Sequence, residues 1–118
     1  MATRNEALRY NRDQVYPAAG YNILYTKTAA ESTFLLSSDC LVEVDTSALA
    51  IPIYLPAEPY TGEQHQVLDN TGTASVRNIT VDGQGKLING AGSAVISTNY
   101  GSLTVRYNGT AWRIIGRV

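Results

Sequence analysis

The feature that most limits how this chain can fold is a series of short segments separated by turn-forming residues. Each segment is either apolar or alternates between apolar and polar residues. From Tyr21 onward they recur about every ten residues, a spacing typical of all-β proteins. The intervening pieces, such as DNTGTAS, DGQG and NGAGS, are rich in residues that turns prefer. The pattern predicts an all-β fold, with a β-sandwich or jelly-roll-like body over residues 21–118.

The first 20 residues have a different character, because polar and charged residues are scattered through them without sustained alternation. Asn5 is a candidate cap for a short helical turn, but Pro17 and Gly20 prevent a longer helix. We predict an extended N-terminal arm over residues 1–20. Its Tyr, Leu and Val content favours contact with a partner over a frayed, solvated tail, which is the alternative. The predicted contact residues are Arg4, Arg9, Tyr10, Arg12 and Tyr16.

The segment SLTVRYNGTAWRII, residues 102–115, predicts a β-hairpin near the C terminus. Asn108-Gly109 is the preferred pair for a two-residue type I′ turn. A turn at that pair places Val105 opposite Trp112 and gathers the apolar side chains of both strands on one face. The residues predicted to pack in the core, or between copies of the chain in a trimer, are Leu103, Val105, Trp112 and Ile114.

Charge and cysteine content exclude several classes of partner and site. With 9 basic and 10 acidic residues, the net charge of -1 gives no field that attracts nucleic acid or an anionic membrane. No apolar run approaches the roughly 20 residues of a membrane-spanning helix, and the first residues lack the apolar core of a secretion signal. Cys40 is the only cysteine, which rules out an intrachain disulfide. We therefore expect a cytoplasmically made chain with no nucleic-acid or membrane partner.

The residue types that enzymes use are sparse. His65 is the only histidine, and we interpret it as a surface or edge-strand residue, with Cys40 as a small packing residue at a strand start. DGQGKL, residues 82–87, is no phosphate loop, because leucine follows its lysine where serine or threonine is required. The acidic pairs nearest to the needs of a glycoside hydrolase are Glu43 with Asp45 and Glu58 with Glu63. We expect no enzyme activity, no catalytic residue and no cofactor.

Aspartates beside the predicted turns have a structural interpretation. Their side chains commonly accept hydrogen bonds from backbone N–H groups within the same turn. These aspartates are Asp39, Asp45, Asp69 and Asp82. We expect no metal site, although calcium at a loop cluster, or an ion on the symmetry axis of an oligomer, is an alternative that the spacing leaves open.

The C-terminal half carries a family resemblance. An NITV strand, a glycine turn, an ING turn and the segment ISTNYGSLTVRYNGTAWRII follow one another between about residues 64 and 116. Together they resemble the β-rich trimeric domains of head decoration proteins, tail fibres and related virion adhesins of tailed bacteriophages. The ending Y-G-S-x-T-x-x-Y-N-G-x-x-W is the most characteristic part. The 8 Tyr and 7 Arg against 2 Lys also favour assembly, since Tyr and Arg are enriched at protein interfaces and Lys is depleted.

The resemblance implies a homotrimer without catalytic residues. Tail fibres with such knobs usually have a long shaft, whereas this chain has Met1 and a short arm, so a head decoration (cement) protein is expected. Such a protein binds the major capsid protein on the surface of the virion head, after synthesis in the host bacterial cytoplasm. The alternative is a tail-associated receptor-binding module, in which Tyr60 and His65 contact a host glycan.

Overall fold

The computed structural model describes residues 26–118, which form two mixed β-sheets and contain no helix. The strands are β1 (Thr26–Ala29), β2 (Thr33–Phe34), β3 (Leu41–Val44), β4 (Ile51–Tyr54), β5 (Gln64–Asp69), β6 (Ile79–Asp82), β7 (Ser93–Ile96), β8 (Ser102–Tyr107) and β9 (Trp112–Arg117). One sheet has the order β1-β3-β5-β8-β9 and the other β2-β4-β6-β7. The all-β prediction is confirmed for these residues, whereas the predicted arm, residues 1–20, lies outside them.

The first six strands alternate between the two sheets. Within each sheet these strands pair in parallel, so that β1, β3 and β5 lie side by side, as do β2, β4 and β6. The chain therefore coils around one core over residues 26–82. After that, β7 pairs antiparallel with β6, and the β8–β9 hairpin pairs antiparallel with β5. Strand direction is the part of this arrangement that the sequence segments did not indicate.

Side-chain alternation sends one set of residues from each strand into the shared core. In β5, Gln64 and Gln66 are exposed, whereas His65, Val67 and Asp69 are buried. The same period of two operates in the opposite sheet. The buried apolar core contains Ala29, Leu35, Val42, Val44, Ile51, Ile53, Leu55, Val67, Ala74, Ile79, Val81, Ile88, Ala94, Ile96, Leu103, Val105, Tyr107 and Trp112.

The loop of the β8–β9 hairpin differs from the predicted two-residue turn. Four residues, 108–111, join the strands. Gly109 has the positive φ of 100° expected at this turn, but Asn108 is not among the residues with positive φ. Instead, Asn108 Oδ1 accepts hydrogen bonds from the N–H groups of Thr110 and Ala111, both at 2.9 Å. The type I′ prediction is therefore wrong, because the asparagine side chain closes a wider loop.

The wider loop changes the strand register but keeps the faces. Val105 lies opposite Ile114 and Tyr107 opposite Trp112, a shift of two residues from the predicted pairing. Because side chains repeat every two residues, the shift leaves the apolar set facing the core. Leu103, Val105 and Trp112 are fully buried, and Ile114 is half-buried against them. The predicted core positions of these residues are confirmed.

The apolar residues 87–88 lie in no strand and lead into a turn. Ile88 is buried and makes isolated bridges to Ala91 and Trp112. Asn89 N–H donates to the Trp112 carbonyl at 3.0 Å, which holds the turn against the start of β9. The apolar segment therefore contributes one core side chain without forming a strand.

Candidate functional site

A buried pair of titratable side chains lies at the start of β5. Glu63 and His65 are 1% and 0% exposed, and His65 Nε2 lies 2.6 Å from Glu63 Oε2. His65 Nδ1 lies 2.7 Å from the backbone oxygen of Asp39. The prediction that His65 is a surface or edge-strand residue is wrong. Its alternation with Gln64 and Gln66 places the imidazole on the inner face of the sheet.

The second oxygen of Glu63 connects the pair to two loops. Glu63 Oε1 accepts hydrogen bonds from Ser37 Oγ and from Tyr60 N–H, both at 3.1 Å. The Trp112 ring lies against His65 with a centroid distance of 5.7 Å. In a hydrolytic triad the serine bonds to the imidazole, which in turn bonds to the carboxylate. Here Ser37 bonds to the carboxylate, so the cluster lacks the contact between nucleophile and base.

A second buried carboxylate, Asp69, organises the loops at the other end of β5. Five donors surround it: Thr46 Oγ1 at 2.8 Å, Thr71 N–H at 3.3 Å and Gly72 N–H at 3.2 Å on Oδ1, with Ala74 N–H and Tyr100 N–H at 3.0 Å on Oδ2. Burial alone would raise the pKa of Asp69, but these hydrogen bonds outweigh it and hold the pKa below its ordinary value. Asp69 is therefore an ionised anchor for the 70–74 and 97–101 loops.

The structural interpretation of the turn aspartates is confirmed. Asp39 accepts from Leu36 N–H at 2.7 Å, and Asp82 accepts from Gln84 N–H at 2.7 Å. Asp45 accepts from the backbone and side chain of the same serine two residues later. These bonds to the serine are the main cause of the lowered pKa of Asp45. Among residues 26–118, no three His, Cys, Asp or Glu side chains are grouped as a metal site would require.

The residues considered for glycan contact separate in the structure. Tyr60 lies on the β4–β5 connection and is 60% exposed, which suits contact with a large ligand. His65 is enclosed by protein, so its predicted contact with a glycan is wrong for this conformation. The acidic pair considered for hydrolysis is likewise divided, because Glu58 is exposed and Glu63 is buried. Cys40 is half-buried immediately before β3, as expected for a packing residue at a strand start.

The two sheets present different outer surfaces. On the outer side of the four-stranded sheet, aromatic and apolar side chains of β2, β4 and β7 lie beside the polar Thr80, Asp82 and Ser93. We call this surface the apolar face and define it by Phe34, Pro52, Tyr54 and Val95. Phe34 is 62% exposed, and its ring stacks on Tyr54 with centroids 4.4 Å apart and planes 14° apart. An exposed aromatic stack beside further apolar side chains is typical of an interaction surface.

The outer side of the five-stranded sheet is the polar counterpart. It carries amide, hydroxyl and guanidinium groups, together with the half-buried Leu41, Glu43 and Leu68. We call it the polar face and define it by Gln64, Gln66, Thr104, Arg106 and Arg113. The stack of the exposed Phe34 ring on Tyr54 makes the apolar face the candidate contact surface of the described part of the chain.

An open groove of about 490 Å³ lies between the turn at residues 89–90 and the hairpin loop. Its amide side chains already serve the fold: Asn89 Oδ1 accepts from Ile114 N–H at 3.0 Å, and Asn108 Oδ1 closes the hairpin loop. Trp112 contributes to the lining, but its side chain is fully buried. The groove therefore has fewer free polar groups than its lining suggests.

The five arm residues predicted to contact a capsid, which are Arg4, Arg9, Tyr10, Arg12 and Tyr16, lie outside the described residues. Within residues 26–118, no helix has the length and apolarity needed to cross a bilayer.

Comparison of the chain with models of known protein families and with curated protein sequences finds no match.

Proposed function

We propose that the protein is a structural component of a bacteriophage virion. In this proposal three copies form a cement protein on the head surface, with sandwich or jelly-roll-like bodies, and bind the major capsid protein through arms and bodies. The observation that supports it best is the apolar face, where Phe34 and Tyr54 form an exposed aromatic stack. The sequence resemblance of residues 64–116 to trimeric phage domains supports the same assembly.

The apolar face supplies the physical reason for self-association. Removing apolar surface from water contributes about 25 cal/mol per Å². A stable interface usually buries about 800 Å² on each partner, with aromatic side chains at its centre. In the proposed trimer, Phe34 and Tyr54 occupy that centre, and Pro52 and Val95 extend it along the sheet.

The arms then make attachment to the capsid cooperative. Once one arm of a trimer binds, the other two arms are held near neighbouring capsid subunits. Their later contacts form at high effective concentration, which raises overall affinity without stronger individual contacts. The Arg and Tyr side chains of residues 1–20 supply bidentate hydrogen bonds and amphipathic contact area for those contacts.

Two variants test the body and the arm separately. Val95→Glu adds a charge to the apolar face, whereas the control Thr104→Glu adds the same charge to the polar face. Sedimentation equilibrium should show a trimer for the wild type and for Thr104→Glu, and dissociation for Val95→Glu. Deleting residues 1–20 should leave a trimer that no longer co-sediments with phage heads. Head binding by the truncated trimer at wild-type affinity would contradict the role of the arm.

The exposed Tyr60 side chain favours a second candidate function, a tail-associated module that binds a host surface glycan. Aromatic rings offer an apolar face to a sugar and a hydroxyl group for hydrogen bonding. A glycan array with the wild type and with Tyr60→Ala tests this function. Saturable binding that the substitution abolishes would favour the adhesin over the cement protein.

A further inference from the structure

We propose that Glu63 and His65 share a proton that helps to fasten the 35–40 connection to β5, and that loss of this proton at alkaline pH weakens this attachment. The pair lies wholly inside the described part of the protein and is independent of the proposed virion role. It constitutes a pH-sensitive clamp built into the fold.

The need for the proton follows from counting donors. Both nitrogens of His65 face oxygen acceptors, Glu63 Oε2 at 2.6 Å and the Asp39 carbonyl at 2.7 Å. A neutral imidazole carries one N–H group. Beside an ionised Glu63, either tautomer would therefore leave a nitrogen lone pair directed at an oxygen. One more proton removes that conflict, because the ring then becomes an imidazolium that donates from Nδ1 to the Asp39 carbonyl and from Nε2 to the Glu63 carboxylate.

The clamp joins the 35–40 connection to residues 60–65, which lead into β5 and are distant from that connection in sequence. Ser37 and Asp39 belong to the 35–40 connection between β2 and β3, and Tyr60 belongs to the connection between β4 and β5. All three bind through Glu63 or His65, which are buried on the inner side of the five-stranded sheet. When the shared proton leaves for solvent, the His65 contact with either Glu63 or Asp39 becomes repulsive. The 35–40 connection then loses an attachment to β5.

Few other titratable side chains face the pair. On the 35–40 connection, the Asp39 carboxylate is occupied by Leu36 N–H, and Cys40 lies next to His65 in the continued β3–β5 register. On β8, Tyr107 packs on the Trp112 ring, which in turn covers His65. On β9 the residue in contact is Trp112 itself, which does not titrate. Arg106 and Arg113 belong to the polar face, on the opposite side of the sheet.

The sign of the pH dependence follows from proton linkage. Above the pH at which a free histidine loses its proton, about 6.5, the unfolded chain holds one proton fewer at these two residues than the clamped structure. Folding stability therefore falls as pH rises, with the unfolding constant increasing by up to tenfold per pH unit while the clamp is closed. The fall ends once the folded protein releases the shared proton.

Glu63→Gln is a matched test because it keeps the shape of the side chain and removes its charge. Its carbonyl oxygen can accept from Ser37 and Tyr60, and its amide N–H group can donate to His65 Nε2. A neutral His65 with its proton on Nδ1 then satisfies every contact without the extra proton. Urea unfolding from about pH 6 to about pH 10 should show falling stability in the wild type and a flatter profile in Glu63→Gln.

Nitrogen-15 NMR of the imidazole reads the proton directly, and assignment is simple because His65 is the only histidine. At neutral pH the wild type should show both ring nitrogens as hydrogen-bonded, proton-bearing nitrogens, whereas Glu63→Gln should show a neutral ring with the proton on Nδ1. A neutral wild-type ring with one bare nitrogen, or equal pH slopes for the two proteins, would overturn the proposal. If Glu63→Gln fails to fold, the wild-type spectrum alone decides.

Discussion

Replacing Asp69 with asparagine measures how much the body depends on one buried carboxylate. The substitution preserves size but gives one side of the group an N–H₂ in place of an oxygen. If the nitrogen takes the Oδ2 position, it faces the N–H groups of Ala74 and Tyr100. If it takes the Oδ1 position, it faces those of Thr71 and Gly72. In either orientation the amide N–H₂ group of asparagine points at two backbone N–H donors, so two hydrogen bonds are lost.

The magnitude follows from the number and kind of bonds lost. A hydrogen bond to a charged group contributes about 1.5–3 kcal/mol, so two of them amount to about 3–6 kcal/mol. The Tyr100 side chain is exposed, and water near its backbone N–H offsets part of the loss. We therefore expect Asp69→Asn to lower the free energy of unfolding by about 3 kcal/mol. A loss of that size is a large fraction of the stability of an ordinary domain.

Urea denaturation followed by circular dichroism at pH 7, with protomer concentration held constant, is the appropriate assay. The control is Asp45→Asn. Asp45 uses a single oxygen, Oδ1, to accept from Ser47 N–H at 2.8 Å and Ser47 Oγ at 2.6 Å, and an asparagine carbonyl can replace it. The control should unfold at the same urea concentration as the wild type. Equal stability of the two variants would refute the assignment of Asp69 as a structural anchor.

Further predictions concern pH, close packing and the hairpin core. Hydrogen bonding lowers the pKa of Asp69 in the folded state, so its stabilising contribution is complete above the unfolded value of 3.8 and is lost as pH falls through the folded value. The melting temperature of Asp69→Asn should therefore fall less steeply with acidification than that of the wild type. Gly83→Ala should lower the free energy of unfolding by about 2 kcal/mol or more in the same urea assay, because the added Cβ collides with the Lys86 carbonyl oxygen. The control Gly92→Ala adds a methyl group to open space and should cost about 1 kcal/mol at most. Leu103→Ala should cost about 3–5 kcal/mol in chemical denaturation, and a cost no larger than that of trimming a surface leucine would contradict its place in the core.

The sequence predicted the strands better than their connections. Alternation in SLTVRY and the Asn108-Gly109 pair located the hairpin, but loop length depended on the Asn108 side chain, which bonds two backbone N–H groups. At Val105 and Trp112 the register error was two residues, so their assignment to the core survived it, whereas Leu103 lies beyond a bulge and is buried by the alternation of β8 itself. Parallel pairing of the first six strands left no comparable signal, because inward and outward alternation is the same for either strand direction.

The buried pair was missed for a related reason. In EQHQVLD the polar residues Glu63 and His65 share a face with Val67, which a strict period of two would have placed in the core. The chemistry of these side chains argued for the surface, since isolated charged groups are rarely buried. Their mutual hydrogen bond removes that objection, but it depends on the paths of two connecting loops that local sequence does not determine.

We propose that this protein belongs to the shell of a phage head. Immunogold electron microscopy of intact virions, with antibody raised against the body, tests the claim most directly. We expect regularly spaced label over the head surface and none along the tail. Label confined to the tail, or virions that carry none of the protein, would contradict it.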